Sequence, residues 1–412
     1  MLYHLLNFKN TFGKGFKSKM FHALFALLLA APWSTLAQQS QLGDEVPDFT
    51  VRPGYRVDMA VPNLEGARFM VFDDKGVLYV SRPTKQDIVS LKDKDGDGVY
   101  ETKATFVEGY KTVHGLDFKN GWIWFTQTGS VHKARDTNND GKADEVQTVI
   151  PESKLPSEGG GHWWRSILVT DDAIYTSIGD PSNITPDTTT RRKKIWKFNL
   201  DGTHPRLFVS GIRNTEKLRL RPGTNEVWGA DHNSDWFGKK LGETPKKQPI
   251  TNMNPPGEFN HYVQGGFYGH PFLVGNRVPR IEYQDRKDII DLAAKTIPPE
   301  WEFGAHWAPC GFTFLSLSNN EFPTDQRGDV YAALHGSWNS SVSKGYRIQR
   351  VLFDKYTGKP YGSLRIVSTL GKDGKKILAR PVDVVEAPDG TLLFSSDFHG
   401  NIFRISYTGK GM

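Results

Sequence analysis

An apolar strand that carries an aromatic near its end and leads into a small or polar loop recurs six times along this chain. The copies run from Phe69 to Ser81, Gly115 to Gln127, Ser166 to Gly179, Lys217 to Asp231, Gly328 to Gly336 and Pro381 to Ser396. Their marker aromatics are Tyr79, Trp124, Tyr175, Trp228, Tyr331 and Phe394. Apolar residues alternate within the copies, and a period of two is that of a strand. The aromatics stand 45, 51, 53, 103 and 63 residues apart. A recurrence of roughly 40 to 50 residues with several short strands per unit marks a β-propeller, one small sheet per repeat around a central axis. The long fourth step has room for a seventh copy, but Pro255 to Pro279 is so rich in Gly, Pro and Asn that it reads as a functional insertion. The expectation is an all-β, six-bladed propeller with long inter-blade loops.

A length of 412 residues would allow two or three domains, yet no low-complexity linker separates the copies, so one domain over residues 38–412 is expected. Tyr55 to Val61 precedes the first full copy and is expected to supply the outer strand of the last blade, which removes an open edge. At the start, Lys9, Lys14, Lys17 and Lys19 precede an apolar run from Met20 to Ala31, and Ser34-Thr35-Leu36-Ala37 offers a small residue before Gln38. This order is that of an export signal over residues 1–37, cleaved near Gln38 to leave a periplasmic or secreted product. The apolar run is short for a bilayer, so no stable membrane span is expected; a retained anchoring helix or a true start at Met20 are the alternatives.

Cys310 is the only cysteine, which excludes an internal disulfide, and no Cys-x-x-Cys-His motif exists to attach a c-type haem. Its thiol reads as a small buried hydrophobe more readily than as a nucleophile. The formal charge of +6 comes from scattered residues, so nucleic acid is not implied.

Two acidic loops share the pattern D-x-[DN]-x-D-G-x-x-[DE]: Asp93, Asp95, Asp97 and Glu101 in the first, Asp136, Asn138, Asp140 and Asp144 in the second. Alternate side-chain oxygens can wrap a hard cation while the Gly allows the sharp turn. Ala104 and Gln147 stand where a full EF-hand has its bidentate Glu. The loops lie 43 residues apart, one blade repeat. They resemble the calcium loops between strands of integrin-type propeller repeats, and a structural Ca²⁺ is expected in each; solvated acidic turns without an ion are the alternative.

Chemistry is expected where blade loops converge on the mouth of the central channel. The densest cluster is Gly159-Gly160-Gly161-His162-Trp163-Trp164-Arg165, where glycines let a ligand approach the backbone and His162 is a candidate base. It is accompanied by Gly211-Ile212-Arg213-Asn214, Asp231-His232-Asn233-Ser234-Asp235, Gly265 to Pro271, His306-Trp307-Ala308-Pro309, Leu334-His335-Gly336-Ser337-Trp338-Asn339 and Arg380-Pro381-Val382-Asp383.

This ordered set resembles the soluble quinoprotein sugar dehydrogenases, in particular the sorbosone-dehydrogenase-like branch that uses pyrroloquinoline quinone (PQQ). The resembling elements are His162 with Arg165, Ser177 to Asp180, the G-x-R-N of Gly211 to Asn214, the G-G-x-Y-G-x-P of Gly265 to Pro271, the L-H-G-S-W-N of Leu334 to Asn339, and Arg380 to Val384. Together they span roughly Tyr55 to Ile405. The resemblance implies a PQQ oxidoreductase that oxidises an aldose, aldehyde or sugar alcohol. His162 would be the general base, and Ca²⁺ would lie against the quinone. It further implies Arg213, Asn214 and Arg380 as cofactor contacts, with His114, Trp307 and Trp338 facing the site. The central Ca²⁺ would sit on the Asp231, His232 and Asn233 loop, largely through main-chain carbonyls. Many relatives carry an Arg after Ser-Trp-Asn; this chain has Ser340, so that contact is either missing or supplied by Lys344 or Arg347. With no haem on the chain, an external cytochrome, quinone or mediator would take the electrons. Two other readings remain open. One is a calcium-dependent lactonase-like hydrolase using Asp231, Asn233 and Asn214, and the other is a non-catalytic binding propeller.

Overall fold

A computed structural model describes residues 45–155, 161–186, 189–238 and 249–409. The expected export signal lies outside the described residues, as do Gly159 and Gly160. Residues Asp44–Met412 form one compact unit.

Six antiparallel sheets make the six blades, as expected. In order from the axis outward, blade 1 consists of Met70–Phe72, Leu78–Arg82, Asp87–Lys92 and Thr102–Glu108. Blade 2 is Leu116–Lys119, Trp122–Thr126, Val131–Arg135 and Glu145–Ile150, and blade 3 is Leu168–Val169, Ile174–Ile178, Lys194–Phe198 and Arg206–Ser210. Blade 4 is Thr215–Leu220, Val227–Asp231, Gly257–Tyr262 and Trp301–Phe303. Blade 5 is Pro309–Phe314, Val330–Leu334, Arg347–Phe353 and Pro360–Ser368, and blade 6 begins with Pro381–Glu386, Leu392–Ser396 and Asn401–Tyr407. The innermost strands pack side by side in a ring, from blade 1 through blade 6 and back to blade 1.

Tyr55–Val61 completes blade 6 as its outer strand, pairing Tyr55 with Tyr407, so the N-terminal strand closes the ring as expected. Thr50–Val51 does something the sequence did not announce: it adds a fifth strand to the outer edge of blade 5. All six marker aromatics lie on the second strand of their blade and are buried. These strands are buried almost throughout rather than on alternate faces. Each blade packs both faces against its neighbours, and two covered faces erase the polar half of a strand's alternation.

The insertion also differs from expectation. Gly257–Tyr262, inside the Gly- and Pro-rich stretch, is a regular blade strand, and the insertion proper runs over 263–300, before blade 4 resumes at Trp301. It holds the hairpin Leu273–Val274 with Val278–Pro279 and the short helix Ile289–Lys295. Phe267 bridges Ser210, so the insertion covers the outer edge of blade 3. The backbone N–H groups of Tyr268 and His270 donate to the carbonyls of Ser210 and Gly211 at 2.9 Å each.

Strand direction alternates, so the loops sort onto two ends. Loops leading into an innermost strand, and those between second and third strands, share one end of the axis; loops between third and outer strands lie at the other. His162, Arg213 and Arg380 belong to the first set, with Asp231–Asp235 and His335–Asn339. Both acidic loops belong to the second.

Candidate active site

Blade 3 begins just after His162, and blade 4 just after Asn214. Gly179, at the end of the second strand of blade 3, lies where the two leading loops meet. A Cβ there would stand 2.7 Å from His162 Cβ, 3.0 Å from Asn214 Oδ1 and 3.1 Å from the Arg213 carbonyl, so only glycine allows this approach. His162 is half-buried in a left-handed conformation, φ 50°. Its Nδ1 lies 2.7 Å from the carbonyl oxygen of Asp180, which can only accept. Nδ1 therefore carries the proton and Nε2 keeps its lone pair. Burial and the nearby Arg213 guanidinium hold the ring's pKa below its ordinary value, so the ring is neutral at pH 7.

Asp180 is fixed from several sides. Its carboxylate accepts the Nε2–H of His270 at 2.6 Å and the N–H and hydroxyl of Ser182 at 2.7 and 2.8 Å, while its own N–H donates to the Arg213 carbonyl at 2.7 Å. Burial would raise this carboxyl, but the His270 hydrogen bond and charge, the Ser182 N–H and the Lys193 charge together outweigh it and hold the pKa low. The insertion that delivers His270 thus helps to orient the loop on which His162 rests.

The Arg213 side chain is nearly buried, and its Nη2 donates to Asn183 Oδ1 at 2.9 Å and Asp235 Oδ1 at 3.1 Å. The backbone N–H groups of Arg213 and Asn214 donate to the two carboxylate oxygens of Asp231 at 2.8 and 2.5 Å. Asp231 thus closes the loop that leads into blade 4, and its buried carboxyl is pushed up to about 6. Asn233 donates to Glu258 at 3.0 Å and accepts from the Ser234 N–H at 2.8 Å. Arg280 of the insertion holds the same loop by donating to Ser234 Oγ and the Trp236 carbonyl at 2.5 and 2.8 Å. Of these residues, Arg213, Asn233, Ser234 and Asp235 border an open cleft whose lining also includes His232, His306, Trp338 and Asn339. His306 and Ala308 share the left-handed backbone of His162, at φ 63° and 50°. Unfavourable backbone concentrated around a cleft is characteristic of functional sites.

Below this rim a charged network crosses the axis. Arg68, just before blade 1, pairs with Glu216 at 3.2 Å and Asp397 at 2.7 Å, and its guanidinium lies 4.0 Å over the Trp164 ring. Asp397 also takes His335 at 3.1 Å and Arg380 at 2.9 Å. Burial would raise the Glu216 carboxyl, but His232 and Arg68 bring it down to about 2. Deeper still, Lys217 meets Asp383 at 2.5 Å, and burial takes the Lys217 ammonium down to about 7.

The structure sorts the expected site residues. His162, Arg213, Asn214, Asp231, His232 and Asn233 converge; Trp338, 66% exposed, stands on the cleft wall. Arg380, half-exposed, is held by Asp397 on the same end of the axis. His114 is fully buried, stacked 4.7 Å under Trp164, so it supports the floor instead of facing a ligand. Trp307 does not line the cleft; it packs on Gly304 and is covered by Arg347 at 4.2 Å. Arg347 is thereby committed, and Lys344 donates to the Asn252 carbonyl at 2.5 Å, so neither stands free to replace the Arg that Ser340 displaces. Sequence reasoning missed Arg68, Glu216 and Asp397. Glu216 could have been found two residues beyond Asn214, as a carboxylate at the start of a strand buried in the ring.

In the first acidic loop the carboxylates of Asp93, Asp95, Asp97 and Glu101 can bring one oxygen each within 4.8 Å of one another. Both loops close the same way: Asp93 accepts from the Gly96 and Gly98 N–H groups, and Asp136 from those of Asn139 and Gly141. In the second, Asp144 is bonded by Thr137 and Asn138.

A family model described as TrAA12-like matches residues 49–408. A protein of Borreliella burgdorferi described as uncharacterized is 28% identical over 408 residues, 95% of this chain and 98% of the relative. Among solved structures, the Trichoderma reesei protein of Carbohydrate-Active Enzymes Family AA12 aligns in an iodide and a calcium form. The TM-scores are 0.76 and 0.75 at 20% identity, covering 89% and 90% of this chain and 99% and 100% of those chains. The holo form of the pyranose dehydrogenase PQQ domain from Coprinopsis cinerea aligns with TM-score 0.74 at 18% identity, covering 89% of this chain and 99% of that one. At these identities the structures establish a shared fold.

Proposed function

This chain belongs to the TrAA12-like family, and from that premise we propose that it is a PQQ-dependent oxidoreductase acting on an aldose, aldehyde or sugar alcohol. The observation that carries this reading is the His162 tautomer. Its Nδ1–H is spent on the Asp180 carbonyl, and its ring, kept neutral, stands near the Arg213 guanidinium with the Nε2 lone pair uncommitted.

The residues present fit the cofactor. PQQ is planar and carries three carboxylates, so it requires fixed cations and flat walls. Arg213 is pre-oriented by Asp235 and Asn183 at the cleft, Arg380 is half-exposed beside Asp397, and Trp338 offers an exposed ring. Arg213, Asn214 and Arg380 would hold the quinone, and the Asp231–Asn233 loop would hold its Ca²⁺. Bound there, PQQ with Ca²⁺ would supply the electrophilic carbonyl that accepts hydride from the substrate carbon. His162 Nε2 takes the substrate hydroxyl proton, the Asp180 carbonyl steadies the imidazolium through Nδ1–H, and His270 keeps Asp180 in place. The hydrolytic reading is less well served, because both Asp231 oxygens already accept backbone N–H groups and the Asn233 amide is bonded to Glu258 and Ser234, which leaves Asn214 Oδ1 as the uncommitted side-chain oxygen of that set.

We further propose that residues 1–37 direct export to the periplasm or outside the cell, leaving one domain over 38–412. Ca²⁺ occupies the two acidic loops as a structural ion. Electrons pass to an external cytochrome, quinone or mediator. Among the described residues no helix is long and apolar enough to cross a membrane.

The test is dye-coupled oxidation of a panel of aldoses, sorbosone-like aldehydes and secondary alcohols, with PQQ and Ca²⁺ added. Turnover that needs both additions and falls in Arg213→Ala through weaker quinone binding supports the reading. Hydrolysis of a lactone panel without PQQ, or no oxidation of any member, would sink it.

A further inference from the structure

Beneath the cleft, three side chains from blades 4 and 5 bring donor atoms together and His114, leading into blade 2, faces one of them; the proposed oxidation uses none of these side chains, since the His232 loop would meet Ca²⁺ through its main chain. We propose that Glu216, His232 and Cys310, backed by His114, form a binding site for a borderline divalent transition cation of the Zn²⁺ class. Glu216 lies on the innermost strand of blade 4 and Cys310 on that of blade 5, which pack against each other. His232 follows the second strand of blade 4, and His114 leads into blade 2. One ligand atom from each of Glu216, His232 and Cys310 lies within 4.8 Å of the others.

The geometry suits such an ion. His232 Nε2 and Cys310 Sγ are 3.4 Å apart, close to the roughly 3.5 Å edge of a tetrahedron with ordinary metal–sulfur and metal–nitrogen lengths. Sulfur, imidazole and one carboxylate are a poor set for Ca²⁺ and a good one for Zn²⁺ or its neighbours. A second observation points to the same place. His114 is fully buried, and its Nδ1 lies 3.4 Å from the Arg165 carbonyl, which only accepts. Its Nε2 therefore carries a lone pair, has no hydrogen-bond partner, and stands 3.8 Å from Glu216 Oε2. Two buried electron pairs that face one another are relieved by a cation.

Arg68 neutralises part of the Glu216 charge, so the anion that balances the ion must come from Cys310. Burial raises the Cys310 thiol well above its ordinary range, and binding must expel its proton. The ion would reach the site through the cleft, which His232 lines. The site stands on these side chains alone and holds whether or not PQQ binds.

Full-length protein in saturating Ca²⁺, which fills the oxygen-only sites, is titrated with Co²⁺ while absorbance is followed. We expect a thiolate-to-cobalt charge-transfer band that saturates at about one Co²⁺ per chain and is bleached by Zn²⁺. About one proton should be released per Zn²⁺ bound near neutral pH. Cys310→Ser, checked for folding by its melting curve, should lose the band. His114→Gln should keep it with affinity about 10- to 100-fold weaker. No band and no proton release from the wild-type chain at excess metal would overturn the proposal, as would a band that His232→Ala leaves unchanged. PQQ binding, measured separately, reports on the oxidoreductase reading, so the two can fail independently.

Discussion

His162 depends on residues far from it. Replacing it with Ala should lower turnover on the order of a hundredfold or more while PQQ binding is retained, because Arg213, Asn214 and Arg380 are untouched. Equilibrium binding alongside dye-coupled rates would show this split. Since burial and Arg213 keep the ring's pKa below its ordinary value, the rate should fall only when pH drops well below that value, where the base takes up a proton. Removing the Arg213 charge lets the imidazole protonate more easily, so in Arg213→Gln the acid limb of kcat/KM should move to higher pH. Asp397 is held at low pKa against the penalty of burial by His335, Arg68 and Arg380. Its folded pKa is depressed, so the stability it contributes is present above the ordinary carboxylate value near 4 and is lost as pH falls through the folded one. Asp397→Asn should therefore cost about 3 kcal/mol near neutrality, a difference in denaturant unfolding that narrows toward acid pH. The sequence showed His162, Arg213, Asn214 and Arg380 because each stands in a Gly- or Pro-rich loop that breaks a strand pattern. Arg68 and Asp397 gave no such signal: they lie 329 residues apart and meet only because the ring closes.

Loops and strands carry their own consequences. Gly179 lets the loops that lead into blades 3 and 4 meet, so Gly179→Ala should displace His162 and cut turnover more than it lowers the melting temperature. A variant with normal turnover would show that the loop can yield. The acidic loops join the third and outer strands of blades 1 and 2, at the end of the axis opposite His162. Chelation should lower the wild-type melting temperature, and Asp97→Ala with Asp140→Ala should remove most of that response while PQQ-dependent turnover persists. An unchanged chelator response in the double variant would identify the loops as plain turns. Their equivalent placement was legible in the 43-residue spacing. The bounds of the insertion were not, because Gly257–Tyr262 carries Gly, Asn and His within a regular strand.

At the scale of the whole molecule, six repeats and their closure by Tyr55–Val61 could be read from apolar spacing alone, since a ring of like sheets must repeat its buried positions. The extra strand Thr50–Val51 on blade 5 could not, being too short to show a period. If residues 1–37 direct export, mass spectrometry of the secreted protein should find its N-terminus near Gln38, and an intact Met1 or Met20 on soluble product would exclude cleavage. The shared fold and the family match leave the cofactor as the central claim, and one titration addresses it. Wild-type protein with Ca²⁺ should bind PQQ with a dissociation constant on the order of micromolar or tighter, followed by the quinone's own absorption. The bound spectrum should change when an oxidisable aldose is added. No binding at such concentrations with Ca²⁺ present would contradict the account, whatever the propeller shares with its relatives.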